Sequence, residues 1–326
     1  MSQASDAWTI PTVMQPRPEA QGFDLDRALD AVVQLRSTIP ADGFTAPMLG
    51  TERHGSAVLL DGGRLAVTIG YLVTEAEEIW LTSSQGAATQ AHVLGYDFVS
   101  GFGLLLVLGD LRVAGLTIGS VADLAPGDPL ILAASGGRRG AVQTRLLAKR
   151  EFAGYWEYVL DEALYVGPAH PHWGGTACIG GDGRLVGIGS LLMQAEIGKD
   201  KNASANLVVP IDLLPPIIGD LRRNGRRSGP IRPWLGLYAT TAGDRVVVTG
   251  LAPRGPAARA GIQEGDIVLG VAGHVPDDLA DLWRRVWSLG AAGVSVPIVV
   301  QRDEERVTVD IESADRQAFL KQPRLH

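Results

Sequence analysis

Two periodicities divide the chain. Behind Asp24, a side chain suited to capping, Leu25, Ala28, Leu29, Val32 and Leu35 recur close to one helical face, and Pro40 follows. This spacing predicts a helix from about Asp24 to Ser37. From Gly55 onward the pattern changes to short apolar or alternating runs separated by Gly, Asp and Pro turns. That pattern predicts strands. Residues 56–60 and 64–68 flank the Asp61-Gly62-Gly63 turn as a hairpin, followed by strands over 78–82, 91–95 and 103–108. A second set begins after Pro126-Gly127-Asp128, with strands over 129–134, 142–149 and 157–161. It continues with a hairpin of 176–179 and 185–188 about Gly181-Asp182-Gly183, then 207–210, and a helix-like run over 211–223 closes it.

Beyond residues 224–231, a linker with the basic cluster Arg226-Arg227, a third pattern starts at Arg232-Pro233-Trp234-Leu235-Gly236-Leu237. Strands are predicted over 245–251, 267–271, 294–302 and 306–311. Gly255 to Gly261 is a short helix with glycine as its stop, and 278–289 is an amphipathic helix with Leu279, Leu282, Val286 and Leu289 on one stripe. Trp283 and Trp287, one turn apart on it, suit either core packing or an exposed peptide contact. The expected organisation is an arm (1–22), a β-rich domain with its N-terminal helix (23–223), a linker (224–231), a second domain (232–315) and a tail (316–326). At 326 residues, two or three cores are expected.

Composition narrows the function. The net charge of −7 argues against a dominant nucleic-acid role, because phosphate binding needs a basic face. The single cysteine, Cys178, excludes an intramolecular disulfide and reads as a small core residue. No signal-peptide pattern and no apolar run of membrane-spanning length is visible, so the sequence leaves the compartment open with cytoplasmic as the default, and no membrane partner is expected.

The stretch Trp173-Gly174-Gly175-Thr176-Ala177, followed by a strand, a turn and the strand Leu185-Val186-Gly187-Ile188, resembles the nucleophile loop of trypsin-like serine proteases of the HtrA family. The run from Gly255 to Gly273, GPAARAGIQEGDIVLGVAG, resembles the PDZ domain of the same family. The resemblance covers roughly residues 30–312, including the order of domains. It implies a mostly β protein, a two-barrel trypsin-like domain followed by a PDZ domain.

Acyl transfer of that type needs a hydroxyl nucleophile, an imidazole base and a carboxylate that orients the imidazole. Laid on the family pattern, the His position is Tyr71, in LAVTIGYLV. The Asp position is Gly101, in GYDFVSGFGLL, and the Ser position is Gly174. A phenol of ordinary pKa near ~10 is a poor base at neutral pH, and glycine offers neither carboxylate nor nucleophile. Asp97 lies four positions early and Thr176 two late. The resemblance therefore implies a pseudoprotease, an HtrA-like protein without catalytic residues that binds extended peptides or protein C-termini as a scaffold, holdase or regulatory subunit in protein quality control.

The PDZ resemblance implies a peptide site at Trp234, Leu235, Gly236 and Leu237, whose backbone N–H groups would capture a terminal carboxylate, with Leu279, Leu282, Trp283 and Val286 on the facing helix. It also implies partners: peptides, and either further copies in a homo-oligomer such as a trimer or an active HtrA-like relative. One alternative is a serine endopeptidase with non-standard catalytic residues. A second is metal-dependent chemistry at His170 and His172, which an extended segment would place on one face. Neither histidine has a further ligand at metal-site spacing, and no metal or other cofactor is expected.

Overall fold

The structure is a computed structural model and describes residues 10–197 and 200–321. Strands β1 (Val32–Thr38), β2 (Glu52–Leu59), β3 (Leu65–Ile69), β4 (Glu78–Thr82), β5 (Ala88–Tyr96) and β6 (Phe102–Val107) close into a barrel in the order β1-β2-β3-β6-β5-β4. A second barrel, in the order β10-β11-β12-β9-β8-β7, is built from β7 (Pro129–Ala133), β8 (Ala141–Gly154), β9 (Tyr158–Gly167), β10 (Ala177–Ile179), β11 (Leu185–Ile197) and β12 (Asp200–Pro210). An antiparallel sheet in chain order follows: β13 (Leu237–Ala242), β14 (Arg245–Leu251), β15 (Ile267–Val271), β16 (Ser295–Arg302) and β17 (Glu305–Glu312). Two closed barrels followed by a separate five-stranded sheet are thus the mostly β arrangement that the resemblance to a two-barrel trypsin-like domain with a C-terminal PDZ domain implied.

Among the described residues five α-helices punctuate the strands: α1 (Leu25–Asp30), α2 (Ala46–Leu49), α3 (Ile218–Asn224), α4 (Pro256–Ala260) and α5 (Leu279–Ser288). Among the described residues no helix is long and apolar enough to cross a membrane. Helix α1 is capped by the Asp24 carboxylate, which accepts the Arg27 N–H at 3.1 Å, but it stops at Asp30. The predicted continuation to Ser37 is corrected: Val32–Thr38 is strand β1, paired with β2 and β4. Its apolar positions fit both periods, and the consecutive β-branched Val32 and Val33 favour the strand. The closing helix predicted over 211–223 is likewise broken, with a 3₁₀ turn at Ile211–Leu213 and α3 starting only at Ile218, after Pro215-Pro216.

The described residues form two compact units, one of residues 10–150, 162–227 and 321, the other of 151–161 and 228–320. Two features differ from the expected boundaries. Residues 316–320, expected as tail, fold with the second unit, where Phe319 packs edge-on to Trp234 at 4.8 Å between centroids. The tip of the β8–β9 hairpin, residues 151–161, also belongs there, and Val159 shares a buried apolar cluster with Leu235, Leu237, Leu282, Trp283 and Val286.

Candidate functional sites

Tyr71 sits in the 3₁₀ turn Gly70–Leu72 that follows β3, and Gly174 lies in the bend leading to β10. The two face each other within the first unit: a β-carbon placed on Gly174 would lie 3.0 Å from Tyr71 Oη. Gly101, at φ +82° just before β6, accepts the Gly70 N–H on its carbonyl at 2.7 Å. Three segments far apart in sequence therefore meet where the resemblance assigns a catalytic triad. The cleft there, about 690 Å³, is lined by His54, Ser56, Tyr71, Ser135, His170 and Trp173 among others.

The bonding at this place is already filled within the chain. Tyr71 Oη donates to the Ser190 carbonyl at 2.8 Å. Burial pushes the phenol above its ordinary pKa, more strongly than the hydrogen bond with Trp173 lowers it, so the group keeps its proton. The Tyr71 carbonyl in turn accepts from Arg53 Nη1 at 2.6 Å. Asp97 is also committed: its carboxylate receives Arg227 Nε and Nη2 at 3.1 and 2.9 Å, and the N–H and hydroxyl of Ser100 at 2.9 and 2.6 Å. Thr176 Oγ1 donates to the Trp173 carbonyl at 3.1 Å. Cys178 is buried, and its thiol is pushed up to about 12 by desolvation.

An oxyanion hole in this geometry uses the N–H of the nucleophile position and that of the residue two before it. Here the earlier N–H, of His172, donates to His170 Nδ1 at 3.0 Å. That bond fixes the tautomer, so His170 Nε2 carries the proton and donates to the Gly140 carbonyl at 2.9 Å. His170 is completely buried, and desolvation lowers its pKa to about 4, which leaves the ring neutral. With both ring nitrogens bonded in the chain, His170 offers no lone pair for a metal. Among the described residues no group of three or more His, Cys, Asp or Glu is placed to hold one. The donor set at His170 and His172 does not fit a metal centre.

In the second unit the segment Trp234 to Leu237 leads into β13, the edge strand of its sheet. Gly236, at φ +70°, makes the turn that aims successive N–H groups to one side. Leu279, Leu282, Trp283 and Val286 on α5 are buried, Trp283 completely, so these side chains belong mainly to the core. Trp287 is partly buried and carries the Arg232 guanidinium at 4.0 Å from its ring centroid.

Reasoning from sequence missed Glu157. Its Oε1 accepts the N–H groups of Gly236 at 2.7 Å, Leu237 at 3.0 Å and Leu235 at 3.1 Å, and Oε2 accepts from Leu235 at 3.1 Å. The side chain is buried, and desolvation raises its pKa to about 7 against the opposing pull of those N–H groups and of Arg316. The only local signal is one acid inside the aromatic tip Tyr155-Trp156-Glu157-Tyr158.

A family model described as a PDZ domain matches residues 233–312. Serine endoprotease DegS of Haemophilus influenzae is 27% identical over 237 residues, which are 68% of this chain and 65% of that protein. Serine endoprotease DegS of Escherichia coli is 24% identical over 313 residues, covering 90% of this chain and 85% of the relative. Among solved structures, the HtrA-type protease AlgW with tripeptide superposes with a TM-score of 0.50 at 21% identity, over 92% of this chain and 97% of that one. The serine endoprotease from Yersinia pestis gives 0.51 at 21% identity, over 89% and 95%. These likenesses support an HtrA/DegS-type serine protease family with a PDZ domain as the relatives of this chain.

Proposed function

We propose that this protein is a non-cleaving member of the HtrA-like group, which binds extended peptides or protein C-termini through its PDZ domain and acts as a scaffold, holdase or regulatory subunit. The observation that carries this reading is the occupancy of the triad positions. Tyr71 holds its proton against the Ser190 carbonyl, Gly101 has no carboxylate, and Gly174 has no nucleophile. Loss of a triad lowers turnover on the order of 10⁶-fold in a characterised serine protease. The bond from the His172 N–H to His170 removes one oxyanion donor as well.

The retained PDZ features support the binding half: a turn with converging N–H groups beside a sheet edge suits a peptide that adds as a strand and ends in a carboxylate. The expected partners are peptides or C-termini, together with further copies of this chain or an active HtrA-like relative. Two assays test the proposal. A fluorophosphonate probe should leave the purified chain unlabelled, and labelled casein should stay intact over hours at micromolar enzyme. Labelling, or cleavage abolished by a substitution at Ser56 or Ser135 in the cleft, would establish a serine hydrolase of non-standard design.

A further inference from the structure

The carboxylate-capturing turn of the PDZ domain already holds a carboxylate, and it belongs to the chain. We propose that the hairpin tip Tyr155–Val159 is a tethered pseudo-ligand of the PDZ groove, with the Glu157 side chain standing in for a peptide's C-terminus, so that an external C-terminal peptide binds by displacing it. The inference rests on the reading of residues 234–237 as a peptide-binding turn.

Four features of a bound peptide are reproduced by this one segment. The Glu157 carboxylate receives three consecutive backbone N–H groups, those of Leu235, Gly236 and Leu237. The Tyr155 carbonyl accepts the Ala239 N–H at 3.0 Å, a main-chain bond along β13, where an added strand would pair. Val159 lies in the apolar cluster that includes Leu235 and Trp283. The Gly154 carbonyl accepts from Trp283 Nε1 at 3.1 Å, joining the segment to α5, the helix across from the turn.

The backbone shows that this arrangement is held by the contact rather than by local preference. Glu157 has φ +61°, a left-handed conformation that a non-glycine residue adopts only at a cost. A glycine there would form the turn without that cost, so the glutamate is explained by its carboxylate. A segment on the same chain acts at an effective concentration in the millimolar range, which suffices to hold off weak peptides while yielding to tight or concentrated ones.

The test uses the full chain and fluorescein-labelled decapeptides of mixed sequence ending in Val with a free carboxylate, with the C-terminal amide as control. Glu157→Gly should tighten binding of the carboxylate peptides at least tenfold, and Glu157→Gln by less, because its amide oxygen still accepts N–H bonds. The amidated peptides should bind neither form. Saturating carboxylate peptide should also speed hydrogen exchange across residues 151–161 of the unsubstituted chain, a measurement that needs no variant to fold. Equal affinities for the unsubstituted and Glu157→Gly proteins, or unchanged exchange with peptide bound, would overturn the pseudo-ligand while leaving a peptide-binding function intact. Absence of binding by every form at millimolar peptide would overturn both.

Discussion

Acidification should destabilise the first unit through His170. The ring is fully buried and neutral, with the His172 N–H donating to Nδ1 and the Gly140 carbonyl accepting from Nε2. Desolvation lowers its pKa from 6.5 to about 4, with the nearby His172 ring adding to the depression. Below pH 6.5 the unfolded chain takes up a proton at this residue that the folded chain refuses until about pH 4. The native state therefore binds fewer protons across that window, and stability falls as the pH drops through it. One proton gives a slope of up to about 1.4 kcal/mol per pH unit, so the full window amounts to about 3 kcal/mol. Urea denaturation at pH 7.5, 6, 5 and 4 measures it, following intrinsic tryptophan fluorescence and hydrogen exchange of the first unit. His170→Gln lowers stability at every pH by the loss of bonds, but removes the proton uptake, so its pH dependence should be shallower by that amount. Parallel curves for the two proteins between pH 6.5 and 4 would refute the buried neutral imidazole.

Further substitutions read the remaining contacts. Gly175→Ala, at φ +76° with a β-carbon that would lie 1.9 Å from the Ser56 carbonyl oxygen, should prevent folding of the first unit, read as loss of a cooperative thermal transition. Tyr71→Phe removes the bond to the Ser190 carbonyl and should cost about 1 kcal/mol in denaturant titration, with no change in C-terminal peptide affinity. Asp97→Asn weakens the bidentate pair with Arg227 and the bonds from Ser100, and should cost about 2 kcal/mol. Gly174→Ser alone should stay unreactive toward fluorophosphonates, because the new hydroxyl would meet the Tyr71 phenol where a base is required.

Most barrel strands after β1 were legible in place because their apolar or alternating runs stop near Gly, Asp or Pro turns. Strands β8, β9, β11 and β12 run further than those local signals indicate, because pairing with a neighbouring strand extends them. The run from Gly255 to Gly273 was legible for a different reason: its turns and short helix follow at fixed offsets, Pro256 opening α4 and Gly261 at φ +91° closing it. Strand β1 was hidden because Leu25, Ala28, Leu29, Val32 and Leu35 satisfy a helical period straight through the real end of α1. Its decisive pairing, Leu35 opposite Leu81, lies 46 residues away. Glu157 was hidden by the same kind of distance, since its partners Leu235, Gly236 and Leu237 are 78 to 80 residues further on. A lone acid in a hairpin reads as solvent-exposed until the facing donors are in place. For the candidate triad the residue types were plain in the sequence, but the bonds that fill them were not. Nothing in the spacing foretells that the His172 N–H turns onto the ring two residues before it.

The groups at the candidate triad of the first unit have their hydrogen bonds made within the chain, which fits the proposed non-cleaving reading. Tyr71 gives its proton to a carbonyl, Asp97 is saturated by Arg227 and Ser100, and His170 has both nitrogens bonded. These bonds lie beside the barrel strands, with Tyr71 in the turn after β3, Asp97 just after β5, Ser190 on β11 and His170 ahead of the bend to β10. In the second unit the turn at Gly236 is also filled, but by one side chain on a hairpin tip with an unfavourable φ. Under the pseudo-ligand proposal, filling of the second kind has to be reversible. Any response of this protein to a ligand should therefore originate at the Glu157 contact, and substitutions around Tyr71 should change stability while leaving that response unaltered.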